Sequence, residues 1–298
     1  MSTLIIGASG FLGNACFEEF SKSGVTFGTD YINTTNNPIY VDSDFSITEK
    51  LIRDNKPNLI INCAGSSNIQ KSFEDPERDY QLNTVLVEKL VNALKLNSSD
   101  SKFINLSSAA VYGNPKDLPV KESHPTSPLS PYGKNKLLSE NILQEYFKKH
   151  GVKGLSVRIF SAYGIGLKRQ FFYDLSSKLI SNPDKITLFG TGNESRDFIY
   201  VSDIVKALKV LSDKAEFDAA VINIASGEES VIKTTAELYA KIFDYKGEIC
   251  FNGEQIAGYP LNWKADISKI QTLGFKREIN LEKGMCLYVD WIKKTIKA

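Results

Sequence analysis

Short apolar runs alternate with longer amphipathic ones along the first half of the chain. TLII (3–6), VTFGT (25–29), LIINC (59–63), KFINL (102–106) and LSVRIF (155–160) have the length and β-branched content of buried strands. Between them, segments 11–22, 46–54, 77–97 and 131–149 repeat apolar residues at helical spacing. Continuous apolar strands separated by helices predict a parallel sheet covered on both faces, a doubly wound α/β fold. After residue 160 the rhythm loosens into turn-rich stretches, GIGLKRQ, SNPDK and GTGNES, before a last helix near 281–296. The expected division is one α/β domain over 1–160 and a smaller α/β region over 161–298, with segments near 197–225 returning to the first.

Composition narrows the partners. The 298 residues are 42% hydrophobic, enough for one large core or two unequal ones. Thirty-six basic residues against 35 acidic ones leave a net charge of +1, and no run of like charges suggests a nucleic-acid arm or a membrane-surface patch. A small molecule is the expected partner. Ser2–Ile6 is too short an apolar run for a signal peptide or a membrane span, so a cytoplasmic location is expected. Cys16, Cys63, Cys250 and Cys286 lie far apart in apolar segments without metal-site or redox spacing and read as reduced core residues. His124 and His150, the only histidines, read as structural, and no metal site is expected.

Directly after the first strand comes GASGFLG, with glycines at 7, 10 and 13. Backbone without Cβ can approach a pyrophosphate closely, and the helix that follows offers free N–H groups and a positive dipole end. The first gap is one residue longer than in G-x-G-x-x-G, so this is a variant of the dinucleotide fingerprint. A plain tight turn would explain the glycines alone. Asp30, ending the second strand, tips the reading, because an acidic side chain there can bind both hydroxyls of an adenosine ribose. No Lys or Arg occurs from Tyr31 to Glu49 to receive a 2′-phosphate, which favours NAD over NADP.

SPYGKNK (130–136) holds the chemistry. Ser130 is a good N-cap and Pro131 suits the first helical position. Tyr132 and Lys136, four apart, then share one helical face. Ser108, in SSAAVYG (107–113), lies at the carboxyl end of a strand beside the crevice where parallel sheets bind ligands. A turn serine is the plainer reading of Ser108 alone. With the pair it completes a donor, a phenol and an ammonium.

The set GASGFLG, Asp30, NCAG (62–65), SSAAVYG, SPYGKNK and GTGNESRDFIYVSD (190–203) resembles the extended short-chain dehydrogenase/reductases of the nucleotide-sugar epimerase/dehydratase branch, from residue 3 to about 275. The resemblance implies a Rossmann domain holding NAD, a C-terminal region holding a nucleotide sugar, and a homodimer. It assigns Gly7, Ser9, Gly10, Phe11, Leu12 and Gly13 to the cofactor loop, Asp42 to the adenine end, and Ala64, Gly65, Asn83, Ser107 and Phe160 to the cofactor's remaining walls. Tyr132 is implied as the base at the C4 hydroxyl, with Ser108 on the same oxygen. Lys136 is implied to lower the phenol's pKa and to bind the nicotinamide ribose. Ser161 and Arg196 are implied substrate contacts, Arg196 at the pyrophosphate.

Departures narrow the reaction. RIFSAYG places Ser161 where relatives commonly carry asparagine, and the segment 251–269 lacks the usual late arginine. Ala109 and Ala110 stand where 4,6-dehydratases carry an Asp-Glu pair, and two methyl groups cannot perform an elimination. Epimerisation at C4 is the favoured expectation. Reduction of a 4-keto-deoxysugar nucleotide is the alternative, and a silent NAD-binding sensor the reading from another class.

Overall fold

The computed structural model describes residues 1–254 and 258–296. Its strands are β1 (Ser2–Ile6), β2 (Val25–Asp30), β3 (Tyr40–Val41), β4 (Leu59–Asn62), β5 (Lys102–Ser108), β6 (Gly154–Ile159), β7 (Ser161–Tyr163), β8 (Lys185–Leu188), β9 (Ser195–Arg196), β10 (Phe198–Tyr200), β11 (Asp218–Ile224), β12 (Ser230–Val231) and β13 (Glu248–Phe251). Seven of them form one sheet in the order β11-β6-β5-β4-β1-β2-β3, with every pairing parallel.

Alternation explains why these runs are apolar throughout. Ile5, Ile61 and Ile104 face a core shared with Phe17, Leu208 and Leu211, whereas Leu4, Ile60 and Phe103 face a second core with Leu90, Leu94 and Leu143. Both sheet faces are therefore covered by helices. Complete burial of one Leu or Ile side chain contributes about 1.5–3 kcal/mol. The helices α1 (Phe11–Phe20), α2 (Ser46–Asn55), α3 (Ile69–Glu74), α4 (Pro76–Tyr80), α5 (Leu86–Asn97) and α6 (Pro131–His150) fill the crossovers.

The stretch expected as one helix over 77–97 is broken. Asp75 caps α4 by accepting from Arg78 N at 3.0 Å, Pro76 starts it, and a single π turn, Gln81–Val85, separates it from α5. The widened turn puts Asn83 in the interior, 1% exposed.

The remaining helices are α7 (Gln170–Ser181), α8 (Val201–Lys214), α9 (Ile232–Phe243), α10 (Ser268–Thr272) and α11 (Leu281–Ile296). Of the returning segments, β11 joins the large sheet beside β6 and α8 packs on α1, but β10 pairs with β7 outside that sheet. A third core, rich in aromatic side chains such as Tyr163, Phe172, Phe198, Tyr239 and Tyr288, underlies the second region. The four cysteines are free, and only Cys16 is fully buried. Cys63 and Cys250 are half-buried and Cys286 is exposed, which corrects their reading as core residues. No helix among the described residues is long and apolar enough to cross a membrane.

Candidate active site

The carboxyl ends of β1, β2, β4 and β5 meet at one edge of the sheet, and the glycine loop is pressed between them. Gly7 has φ +76°, and a Cβ on it would lie 2.6 Å from Ala64 N. A Cβ on Gly13 would lie 1.9 Å from the Gly7 carbonyl oxygen. No side chain caps α1 at Gly10, so the first-turn amides of Phe11, Leu12 and Gly13 are open to an anion. The side chains of Phe11 and Leu12 instead pack into the cores. The loop is thus a cradle that Cβ atoms would fill, which fits a dinucleotide pyrophosphate.

Asp30 locks the far side of the loop. Its Oδ2 accepts from Ser9 N at 2.8 Å and its Oδ1 from Tyr31 N at 2.7 Å, while Ser9 Oγ donates to the Ile32 carbonyl at 2.6 Å. Asp42 follows β3, and its carboxylate accepts from Ile47 N at 3.3 Å, Thr48 N at 2.7 Å and Thr48 Oγ1 at 2.6 Å. Asp42 therefore holds the start of α2, a task that its position after β3 did not reveal.

Behind the loop, Ala64 N donates to Asn62 Oδ1 at 3.2 Å, and Gly65 adopts φ +129°. A Cβ on Gly65 would come 2.5 Å from Asn83 Oδ1 and 3.3 Å from Lys136 Nζ, so these side chains crowd one point. Asn83 faces inward from the π turn. Both its side-chain polar atoms are buried without a hydrogen-bond partner among the described residues.

The trio Ser108, Tyr132 and Lys136 stands next to this wall. Ser130 Oγ accepts from Gly133 N at 3.2 Å and Pro131 opens α6, which projects Tyr132 and Lys136, 7% and 5% exposed, into the crevice. Ser108 caps the 3₁₀ turn Ala109–Tyr112 by accepting from Ala110 N at 3.2 Å. Beneath them, Ser107 Oγ donates to Glu140 Oε1 at 2.5 Å, and Arg158 grips the same carboxylate through Nε at 3.0 Å and Nη2 at 2.7 Å. The bidentate pair is buried and fixes β6 to α6, while Ser107 ties the end of β5 to the same carboxylate.

The electrostatics of the pair are set by burial. Lys136 Nζ lies 6.0 Å from the centroid of the Tyr132 ring and donates to the Leu106 carbonyl at 2.9 Å. Burial pushes the Tyr132 phenol up to about 12, against the hydrogen bond of Ser108; Asp79 pushes it the same way and the Arg169 charge opposes it. Burial also pushes Lys136 down to about 8. In the protein by itself, desolvation is the largest influence on the phenol.

Phe160 and Ser161 follow β6. Phe160 is 4% exposed, edge-on to Trp263 at 5.7 Å and 6.2 Å from the Tyr112 ring. Ser161 N donates to the Asp197 carbonyl at 3.0 Å. Arg196, in β9, stacks over Trp263 at 5.6 Å and donates through Nη1 to the Ser195 and Leu261 carbonyls at 2.7 and 3.1 Å. It is linked to the end of β6 by Trp263. Asp79, Arg169 and Trp263 belong to the site's surroundings and carried no motif signal, and Asn135 stood within SPYGKNK without a role of its own. Of the late segment 251–269, residues 255–257 lie outside the described residues.

The profile of the NAD dependent epimerase/dehydratase family matches residues 3–225. The chain belongs to that family. NAD is accordingly its cofactor. A relative from Methanocaldococcus jannaschii, carried as a provisional UDP-glucose 4-epimerase, is 32% identical over 97% of this chain and 98% of its own. The UDP-glucuronic acid 4-epimerase of Bacillus cereus, solved with UDP-glucuronic acid and NAD, is 27% identical with a TM-score of 0.89 over 99% of this chain and 100% of that one. The UDP-glucose 4-epimerase of Thermotoga maritima, 24% identical over 99% of this chain and 100% of that one, shares the fold with a TM-score of 0.91.

Proposed function

We propose that this protein is a nucleotide-sugar epimerase that inverts C4 through a 4-keto intermediate. The observation that carries the reading is an intact Ser108, Tyr132 and Lys136 beside Ala109 and Ala110, which are 0% and 6% exposed and bear no acid or base. An elimination at C5–C6 has no proton carrier at those positions, whereas a proton can be moved at the C4 hydroxyl.

In this reading the glycine loop holds the pyrophosphate of NAD, Asp30 its adenosine ribose and Lys136 its nicotinamide ribose. Bound NAD supplies a hydride acceptor that can return what it takes. Tyr132 accepts the C4 hydroxyl proton and gives it back, and Ser108 hydrogen-bonds the same oxygen as its charge changes. Residues 1–160 with β11 serve the cofactor, and most of 161–298 serves the nucleotide sugar, with Ser161 and Arg196 as contacts. Four free thiols suit a reducing cytoplasm. Exposed Leu82 and Leu138, on the π turn and α6, support a homodimer.

The test is incubation of purified protein with UDP-, dTDP-, GDP- and CDP-sugars. An epimerase converts one of them to its C4 epimer without net NADH formation and keeps a C4 deuterium in the product. Stoichiometric NADH consumption with a 4-keto-6-deoxysugar nucleotide, together with inertness toward all 4-hydroxy sugars, would falsify this assignment and promote the reductase. Absence of any nucleotide-sugar binding would leave the sensor.

A further inference from the structure

Asp79, in the short helix α4, is 3% exposed behind the Tyr132–Lys136 face. Its Oδ2 accepts from Asn135 Nδ2 at 2.8 Å, and its buried Oδ1 has no hydrogen-bond partner among the described residues. The Asn135 carbonyl in turn accepts from Thr84 Oγ1 at 3.1 Å. The residue immediately before Lys136 is therefore tied at one end to α4 and at the other to the π turn. A buried carboxylate is costly unless a positive charge compensates it. Among the described residues no Lys or Arg forms an ion pair with Asp79, and Lys136, equally buried, has only the neutral Leu106 carbonyl as its hydrogen-bond acceptor. Asn135, next to Lys136 in the chain, joins the lysine's turn of α6 to the Asp79 carboxylate on α4, and that carboxylate's negative charge favours the ammonium.

We propose that Asp79 is a positioning residue for the catalytic lysine: its buried carboxylate keeps Lys136 protonated and, through Asn135, holds α6 so that the ammonium faces the cofactor. This rests on the NAD-dependent reading of the site above and names a part of it that no motif marks. The groups facing Lys136 are few. Asp79 on α4, the Cys63 thiol after β4 and Glu140 on α6 all favour its charged form, with Asp79 the foremost. Glu140 is already gripped by Arg158 of β6. Facing Tyr132 are Asp79, which disfavours the phenolate, and Arg169, which favours it. Asp79 thus acts on both members of the pair, and discharging it lowers the pKa of each.

The test titrates Lys136 in protein stripped of nucleotide, by competitive acetylation with acetic anhydride across pH, read on the Lys136 peptide by mass spectrometry. Wild type should titrate at about 8. Asp79→Asn, which keeps the shape, and the smaller Asp79→Ser, a second discharged variant, should titrate about one unit lower, so that protonation at the wild-type midpoint falls several-fold. Asp79→Glu should restore the wild-type midpoint. NAD affinity measured by calorimetry should follow, weakened several-fold at alkaline pH in the discharged variants and little changed below pH 6. A midpoint that stays in place in both discharged variants, or NAD binding weakened equally at every pH, overturns the proposal and leaves Asp79 a packing residue. Neither readout uses a sugar, so failure of the epimerase assignment would be seen separately.

Discussion

The Lys136 ammonium lies beside the Tyr132 ring, 6.0 Å from its centroid, and is hydrogen-bonded to the Leu106 carbonyl. The phenol, pushed up to about 12 by burial, is therefore neutral near neutral pH until another positive charge arrives. Oxidised NAD carries that charge on its ring. Ultraviolet titration of the phenol, taken as wild type minus Tyr132→Phe, should show its ionisation moving to lower pH when oxidised NAD is added and not when NADH is added. Tyr132→Phe itself should keep NAD binding and lose turnover by roughly two to four orders of magnitude. Turnover within a few-fold of wild type would remove Tyr132 from the chemistry.

Lys136→Met removes a charge that the site holds with effort. Cofactor affinity should fall together with turnover, since Lys136 is assigned both the ribose and the electrostatics of the site. Equilibrium titration with NAD checks it, and an unchanged dissociation constant would detach Lys136 from the ribose.

Asp30 accepts from Ser9 N and Tyr31 N, which anchors the carboxylate where a ribose would lie. NADP should bind wild type more weakly than NAD, because its 2′-phosphate meets that negative charge. Asp30→Ala should narrow the gap from both sides, weakening NAD and relieving NADP. A wild type that prefers NADP contradicts the assignment.

Gly13→Ala drives a methyl group to 1.9 Å from the Gly7 carbonyl. Either α1 or the loop must move, at a cost of about 1–3 kcal/mol. NAD affinity should fall by more than tenfold even where the protein stays folded. Thermal unfolding with and without NAD separates the two effects, and a wild-type ligand-induced shift in Tm would show that the cradle is looser than described.

Arg158→Met strips Glu140 of its bidentate partner while the carboxylate stays buried. Breaking a buried pair in this way costs about 3–5 kcal/mol. Denaturant unfolding should show a loss of that order, and the double variant Arg158→Met with Glu140→Leu should recover much of it. A loss below about 1 kcal/mol would mean that water reaches the pair.

What could be read from the residues depended on whether the signal was local. The strands at 3–6, 59–63 and 102–106 were legible because a strand covered on both faces has no polar side to interrupt it. Tyr132 and Lys136 were legible because a serine cap and a proline fix where α6 starts, and four residues then fix the shared face. The π turn was not, since one extra residue in a helix leaves the apolar pattern nearly unchanged. Asp79 was hidden for a related reason: an acid amid PERDY reads as solvent-facing, and only the fold shows Asn135 above it. That β11 pairs with β6 and β10 with β7 was not legible strand by strand, because three apolar residues carry no record of which sheet they join. Lys136 was placed correctly on the helix, but the burial that pushes the phenol up was not legible, because desolvation depends on neighbours distant in the chain.

The edge strand β11 is made some sixty residues after its partner β6, and between them the chain builds β7 to β10 and two helices. During synthesis the growing sheet thus carries a bare, apolar β6 edge until residue 224 has left the ribosome. The N-terminal half cannot finish and wait for the rest. A chain cut near residue 160 presents a strand edge seeking a partner, and the six sheet strands made first come to rest only with the arrival of a strand from beyond them.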